Sequence, residues 1–208
     1  MKSKNENYKH IGTELYCLFL QQDNLRELVK KKDVDNLVNL LVSDNNEARI
    51  NSLTCLCILS WDINYQKNLF KYQLVCNYAL TLDKIKNQSE KLLVLYLIYN
   101  CDNNEFLQNF VDSDGVSLLV DLFSMKIESF SLFSASFSAL TKLDQNIKKY
   151  IDPITCLRLF LMRIVSKIAS INPLNVKNRS LSLILEDIFQ NSKSLKNEAH
   201  KCILQIGN

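Results

Sequence analysis

Apolar residues recur along this chain with helical spacing, and the clearest example lies at residues 105 to 123. In EFLQNFVDSDGVSLLVDLF, apolar positions return every three or four residues on both sides of a polar turn. This spacing is that of one face of an α-helix. Gly115 stands in the turn, and glycine adopts positive φ without a steric penalty. The stretch therefore predicts two amphipathic helices joined at residues 112 to 115, with Gly115 at positive φ.

The same pattern repeats with a period of 41 residues. Shifting positions 34, 37, 38, 40 and 41 by one, two and three periods gives twenty positions, of which all but Thr81 and Arg163 are apolar. A composition that is 47% hydrophobic would make about half of them apolar. A second apolar column stands one helix earlier, at Leu28, Leu69, Phe110 and Ile151. Helical repeats of about 40 residues are typical of armadillo and HEAT proteins. We therefore predict an all-α, armadillo/HEAT-like right-handed helical solenoid of about four repeats.

Each repeat should end in a longer third helix, and we expect these helices at residues 46 to 60, 87 to 101 and 128 to 143. Asn45, Asn87 and Ser129 stand where an N-cap side chain is needed. Between Ile11 and Lys32 the pattern predicts either two helices or one bent helix, with Asp23 capping the second part. The core should include Leu37, Leu41, Leu56, Leu93, Leu97, Leu119 and Leu140.

The ends of the chain depart from the repeat. Residues 1 to 8 are polar and are expected to form a loose tail, and residues 9 to 208 a single armadillo-like domain. Near the other end, Pro153 and Pro173 mark helix boundaries. Helices are expected at about 154 to 170, 177 to 190 and 194 to 205, with a loop at 172 to 176.

Composition excludes several classes of protein. Three glycines and two prolines in 208 residues are too few for the turns of an all-β fold. A net charge of +3 argues against a nucleic-acid or membrane-surface protein, which would show a strong basic excess. No secretory signal or membrane span is evident, so we expect a protein of the cytosol or nucleus and take cytoplasmic as its location. The seven irregularly spaced cysteines are expected to be reduced core thiols without a disulfide.

The sequence offers no catalytic constellation. Two histidines, His10 and His200, cannot build a metal site or a triad from sequence neighbours, and no glycine-rich phosphate loop is present. Cys55 and Cys57 stand about 200° apart around a helix and should face different ways. We therefore expect no enzyme activity, no cofactor, no metal and no small-molecule substrate.

A binding function is then the remaining hypothesis, because the third helices of armadillo stacks line the concave face that binds partners. Trp61 is expected either to close the core or to face a partner, and of Tyr96 and Tyr99 one should pack while the other reaches the surface. A single tryptophan does not suit the groove in which importin-type proteins hold extended basic peptides, so a folded partner is favoured. The predicted partner-binding residues on this face are Glu47, Thr54, Trp61, Lys91, Leu95, Tyr99 and Ser136.

Two stretches resemble the armadillo nucleotide-exchange factors of the 70-kDa heat-shock chaperone. LYCLFLQQDNLREL, residues 15 to 28, is similar to the family's N-terminal element at Leu15, Leu18, Asp23 and Asn24. FVDSDGVSLLVDLF, residues 110 to 123, is similar to its glycine-containing turn and following helix at Phe110, Gly115 and Leu119.

The resemblance implies a co-chaperone without enzyme activity. Such a protein would bind one lobe of the chaperone's nucleotide-binding domain, displace the other lobe and let ADP leave. We expect this chain to be a monomer. The alternative is an armadillo scaffold that binds another protein through its concave face and leaves nucleotide release unchanged.

Overall fold

A computed structural model describes residues 3 to 69, 71 to 80, 88 to 124 and 153 to 207, and these residues form helices joined by short turns. They divide into two compact units, Met1–Asp102 and Asn103–Asn208. No helix in the described ranges is long and apolar enough to cross a membrane. The predicted third helix at residues 128 to 143, the caps Asn87 and Ser129, and the core residue Leu140 lie outside the described residues.

The helices of the first unit are α1 (Ser3–Leu20), α2 (Asp23–Arg26), α3 (Lys31–Asn39), α4 (Asn46–Leu59), α5 (Ile63–Leu69), α6 (Gln73–Leu80) and α7 (Gln88–Tyr99). The unit is built around α4. Helices α1, α3 and α7 all pack against it, and from Leu53 to Leu59 every side chain except Thr54 is buried. The predicted core residues Leu37, Leu41, Leu56, Leu93 and Leu97 are each at most 3% exposed, so this part of the core is confirmed.

The observed ends of these helices agree in part with those predicted from the sequence. Asn45 caps α4 as predicted, because its side-chain oxygen accepts a hydrogen bond from the Ala48 amide at 3.0 Å. The predicted Asp23 cap is wrong. Gln22 occupies the cap position in extended conformation without a side-chain cap bond, and α2 begins at Asp23 itself. The backbone of α1 is already helical from Ser3, although the sequence favours a loose tail there.

The second unit contains residues 105 to 123, for which the sequence predicts two helices and a turn. Its two predicted helices are present as α8 (Asn104–Asp112) and α9 (Gly115–Phe123), but the role predicted for Gly115 is wrong. Asp114 is the residue at positive φ, 63°, and Gly115 starts α9 with negative φ. A methyl group at Gly115 would overlap the ring and carbonyl oxygen of Phe110. Glycine is therefore required for space rather than for backbone freedom.

The remaining helices pack around α10 (Pro153–Ile171), which contacts α8, α9 and α12 (Lys196–Gly207). Helix α11 (Arg179–Asn191) packs on α12. The loop predicted at 172 to 176 is the connection between α10 and α11, and Pro173–Val176 forms a 3₁₀ turn within it. Proline suits the first position of such a turn, since its fixed φ is helical and its missing N–H would have no partner there.

Candidate functional site

Two of the predicted binding residues lie on one side of α4, and a third stands in the turn that follows the helix. Glu47 and Thr54 are seven residues apart, and seven residues return to the same side of a helix within about 20°. Trp61 is the second residue after α4 ends at Leu59. Glu47 is exposed, and Thr54 and Trp61 are half-buried. The opposite side of the helix, including Ser52 and Leu56, is buried. We call the surface of Glu47, Thr54 and Trp61 the α4 face.

At the start of the α4 face, a polar contact joins α4 to α1. The Glu47 carboxylate lies 3.0 Å from His10 Nε2, which makes an ion pair when the imidazole is protonated. The other ring nitrogen of His10 lies 3.3 Å from the side-chain amide of Asn51. With 68% of its side chain exposed, Glu47 keeps a carboxylate available to solvent or a partner.

At the other end, Trp61 belongs to a cluster of aromatic and basic side chains. Its indole N–H donates a hydrogen bond to the Tyr96 hydroxyl at 2.6 Å, and the Arg26 guanidinium lies 5.0 Å from the centre of its ring. Tyr96 stacks on Tyr99 with ring centroids 5.7 Å apart. We call Arg26, Trp61, Tyr96 and Tyr99 the aromatic cluster.

The two tyrosines of the aromatic cluster differ in burial. Tyr96 is 1% exposed, whereas Tyr99 is half-buried, so one tyrosine packs and the other reaches the surface as predicted. Trp61 is half-buried, and its indole N–H is bonded to the Tyr96 hydroxyl.

Hydrogen bonds next to the aromatic cluster fix the backbone that carries it. The Asn100 side chain donates to Ser60 Oγ at 2.8 Å, and the Gln66 side chain donates to the Asn100 carbonyl at 2.5 Å. These bonds join the end of α7 to the end of α4 through Ser60 and to α5 through Gln66. The orientation of the indole is therefore set before any partner arrives.

Helix α7 contributes less to the surface than predicted. Lys91 and Tyr99 are half-buried, but Leu95 is only 1% exposed, so its predicted exposure is wrong. The physical reason is that LLVLYLI, residues 92 to 98, is apolar all round, and a helix of that kind is buried on all sides. Ser136 lies outside the described residues.

The cysteines of α4 face different neighbours, as their spacing predicts. Cys55 Sγ lies 2.7 Å from Cys17 Sγ of α1, whereas Cys57 Sγ donates to the Leu93 carbonyl of α7 at 3.4 Å. Burial raises the pKa of both Cys55 and Cys57 well above the ordinary thiol value, so both stay protonated and poorly nucleophilic. All seven cysteines are in the thiol form rather than in disulfides. Among the described residues there is no group of three or more potential metal ligands.

Sequence reasoning missed Arg26 and the role of Tyr96. Arg26 stands 35 residues before Trp61, and Tyr96 stands 35 residues after it. The period of 41 does not predict contacts at this separation. The one available signal was the half-apolar character of Trp61 itself, since a buried indole N–H needs a bonding partner.

Comparison with known proteins supports the fold. No protein-family profile and no curated protein matches this chain. An engineered protein of the Northeast Structural Genomics Consortium matches at 17% identity with a TM-score of 0.62, covering 99% of this chain and 92% of its own. A designed armadillo repeat protein matches at 13% identity and a TM-score of 0.56, covering 95% of this chain and 92% of its own.

A third solved structure belongs to computationally designed armadillo repeat proteins for modular peptide recognition. It matches at 15% identity with a TM-score of 0.52, covering 91% of this chain and 89% of its own. At such identities the likeness concerns backbone architecture. The chain therefore has an armadillo-type helical fold.

Proposed function

We propose that this chain is a non-catalytic scaffold that binds a folded protein partner through the α4 face. The observation that carries the proposal is the half-exposed Trp61, held by Tyr96 and Arg26 at the end of that face. Tryptophan, tyrosine and arginine are the residues that most often supply the binding energy of protein interfaces. Armadillo folds are typically binding scaffolds, and their third helices line the binding surface.

Preorganisation adds to the case. Immobilising a flexible side chain on binding costs about 0.5 to 1.5 kcal/mol. The indole of Trp61 is already fixed by its hydrogen bond and by stacking under Arg26. A partner that covers its exposed edge therefore gains the apolar contact at a low entropic cost.

The α4 face also indicates what the partner offers. Its aromatic end suits an apolar patch, and its Glu47 end suits a basic or hydrogen-bond-donating group. The half-buried Thr54 between them leaves the middle of the face small and uncharged. A folded surface that combines these features fits the face better than a uniformly basic peptide.

Substitution at the middle of the face tests this proposal. Thr54→Arg adds bulk and charge where the partner must approach, and Asn39→Arg adds the same group at an exposed position of α3. Proteins captured from an extract by the immobilised chain should be lost with Thr54→Arg and retained with Asn39→Arg. Equal capture by both variants would show that the partner binds elsewhere.

The partner that we consider as a specific candidate is the nucleotide-binding domain of a 70-kDa heat-shock chaperone. The two stretches that resemble the exchange factors of this chaperone differ in how far their matching residues are exposed. Phe110 and Leu119 are buried and Gly115 packs on Phe110, so the second stretch is accounted for by helix packing. In the first, Leu15 and Leu18 are 62% and 55% exposed, and they are available to contact a partner.

An exchange factor must bind the open nucleotide cleft more tightly than the closed one, because equal affinity for both shifts nothing. ADP must then weaken the binding of this chain to the chaperone, and this chain must weaken the binding of ADP by the same factor. A coupling of about 3 kcal/mol corresponds to roughly 150-fold in each direction.

The test is a pair of affinities. Affinity for the purified nucleotide-binding domain is measured with and without ADP, and ADP affinity with and without this chain. Matching losses support exchange activity. Binding that is the same with and without ADP would identify an adaptor, and the absence of binding would leave the scaffold proposal with another partner.

A further inference from the structure

Two thiols face each other where α1 packs against α4. Cys17 lies in the last turn of α1 and Cys55 in the middle of α4, and their Sγ atoms are 2.7 Å apart. The sulfur atoms of a disulfide are about 2.0 Å apart, so an approach of about 0.7 Å separates this contact from a bond. Two cysteines whose side chains point away from each other cannot be bridged without backbone movement. This pair is already aligned for a disulfide.

Neighbouring contacts between the two helices hold the sulfur atoms in this position. The Cys17 thiol lies 3.0 Å from the Asn51 carbonyl, one turn before Cys55 on α4. Two turns earlier on α1, His10 contacts both the Asn51 side chain and the Glu47 carboxylate. The sulfur contact therefore belongs to a helix–helix interface that is fixed along its length.

The neighbouring Cys57 shows that burial in α4 does not by itself create such a contact. Cys55 and Cys57 are both 0% exposed. Cys57 Sγ donates a hydrogen bond to the Leu93 carbonyl of α7, whereas Cys55 Sγ meets Cys17 of α1. Cys57 is therefore an internal control, with the same residue type and burial on the same helix.

Helix α1 is the element that a covalent bond at this point would affect most. It is the first helix of the unit and packs mainly against α4, while Ile11, Leu15 and Leu18 on its outer side are exposed. A helix with neighbours on one side opens at a lower free energy than the core of the unit. Cross-linking residues that are 38 positions apart lowers the entropy of the unfolded chain. A bond between the two sulfurs would therefore stabilise α1 on α4.

We propose that Cys17 and Cys55 are a modification site, at which a peroxide converts the two thiols into a reversible disulfide that fastens α1 to α4. Cys17 is the first to react, because it is 7% exposed whereas Cys55 is 0% exposed. Burial also raises the pKa of Cys55 well above the ordinary thiol value, which keeps this thiol protonated until its partner has been oxidised.

The reaction takes two steps. The Cys17 thiolate attacks one oxygen of hydrogen peroxide, the O–O bond breaks, and the departing hydroxide takes up the proton that Cys17 released and leaves as water. Cys55 then attacks the sulfur of the resulting sulfenic acid, and the S–O bond breaks. The hydroxide that leaves takes the Cys55 proton and forms a second water. The two thiols lose two electrons, and one hydrogen peroxide is reduced to two waters.

The experiment treats the full chain with hydrogen peroxide and then blocks the remaining thiols with iodoacetamide in urea. Peptide mass spectrometry should find the peptides of Cys17 and Cys55 joined, with the mass of two hydrogen atoms lost. Dithiothreitol should separate them. The oxidised protein should have a Tm higher by about 5 °C or more, and amide hydrogen exchange in α1 should be slower than in the reduced protein.

Three variants assign the effect to this pair. Cys17→Ala and Cys55→Ala should each abolish the joined peptide and the rise in Tm, because neither variant retains two facing thiols. The matched control Cys57→Ala should retain both effects, and it leaves Cys55 as the one thiol of α4 that can join Cys17. Circular dichroism checks that each variant is folded, and the wild-type result depends on none of them.

Three results would overturn the proposal. The first is the absence of a joined peptide in the folded wild type after peroxide treatment. The second is a joined peptide that persists in Cys55→Ala at the wild-type level, which would show that Cys17 pairs with another thiol. The third is a Cys17–Cys55 disulfide that leaves both the Tm and the hydrogen exchange of α1 unchanged.

Discussion

Arg49 and Glu90 form an ion pair, with Arg49 Nη2 2.9 Å from Glu90 Oε1, and they stand 41 residues apart. This separation equals the period of the sequence, so the pair joins equivalent turns of two successive third helices. Tyr78 donates a second hydrogen bond to the same carboxylate. Only 4% of the Glu90 side chain is exposed, and these partners satisfy a charge that would otherwise be costly to bury.

Glu90→Ala should destabilise the protein by about 3 kcal/mol, because removing one partner of a buried pair leaves the other charge uncompensated. The Arg49 side chain is 22% exposed, so the loss should fall at the low end of the usual range. Urea unfolding measures it. Glu47→Gln, at the exposed ion pair with His10, is the matched control and should cost less than about 1 kcal/mol. Similar losses for the two variants would contradict the role given to the pair.

The ionisation of Tyr78 should make the free energy of unfolding depend on pH in the alkaline range. Burial, followed by the hydrogen bond to Glu90, raises the pKa of Tyr78 above its ordinary value. Because the folded pKa exceeds the unfolded value of about 10, this contribution to stability is complete below pH 10 and is lost as the pH rises further. The free energy of unfolding should therefore fall less between pH 9.5 and 11 in Tyr78→Phe than in the wild type. Equal slopes would show that Tyr78 titrates normally.

The α8–α9 turn yields a pair of substitutions with opposite expectations. Gly115→Ala should cost about 1 to 3 kcal/mol, the usual range for overpacking, because the Phe110 carbonyl cannot move away from an added methyl group. Asp114→Gly should change stability by less than about 1 kcal/mol, since relief of the positive φ offsets the lost hydrogen bond from Ser117. Thermal unfolding of both variants checks this, and a tolerated alanine at 115 would refute the packing explanation.

The thiols should react in an order set by burial. Cys76 is half-buried, whereas the other six cysteines are buried. Burial also raises the pKa of Cys202 to about 11, which lowers its thiolate fraction at neutral pH. Brief treatment with iodoacetamide at pH 8, read by peptide mass spectrometry, should modify Cys76 first, and all seven should react in urea. Modification of Cys55 or Cys57 as fast as Cys76 would contradict their placement.

Periodicity predicted the helices well because burial of one face repeats with the stack. The column that contains Leu37 and Leu119 also places Phe160, and all three are buried. Arg49 and Glu90 are also separated by one period of 41 residues. The pair was not predicted, because the period was recognised from apolar positions alone. A search for opposite charges one period apart would have found it.

Features that depend on space or on the neighbourhood of one side chain could not be predicted in this way. A glycine in a turn looks the same whether it supplies positive φ or makes room for a ring, as Gly115 does for Phe110. The spacing of Leu95 placed it on an exposed face, whereas the apolar sequence around it indicates burial.

The central claim is that the α4 face contacts a protein partner, and site-specific photo-crosslinking tests it most directly. Benzoylphenylalanine is placed at position 54 in one sample and at position 39 in the other, and each protein is irradiated in the same extract. The account predicts discrete crosslinked products from position 54 that are absent or several-fold weaker from position 39, and that disappear when Trp61 is also changed to Ala. Equal crosslinking from both positions, or none from position 54, would contradict it.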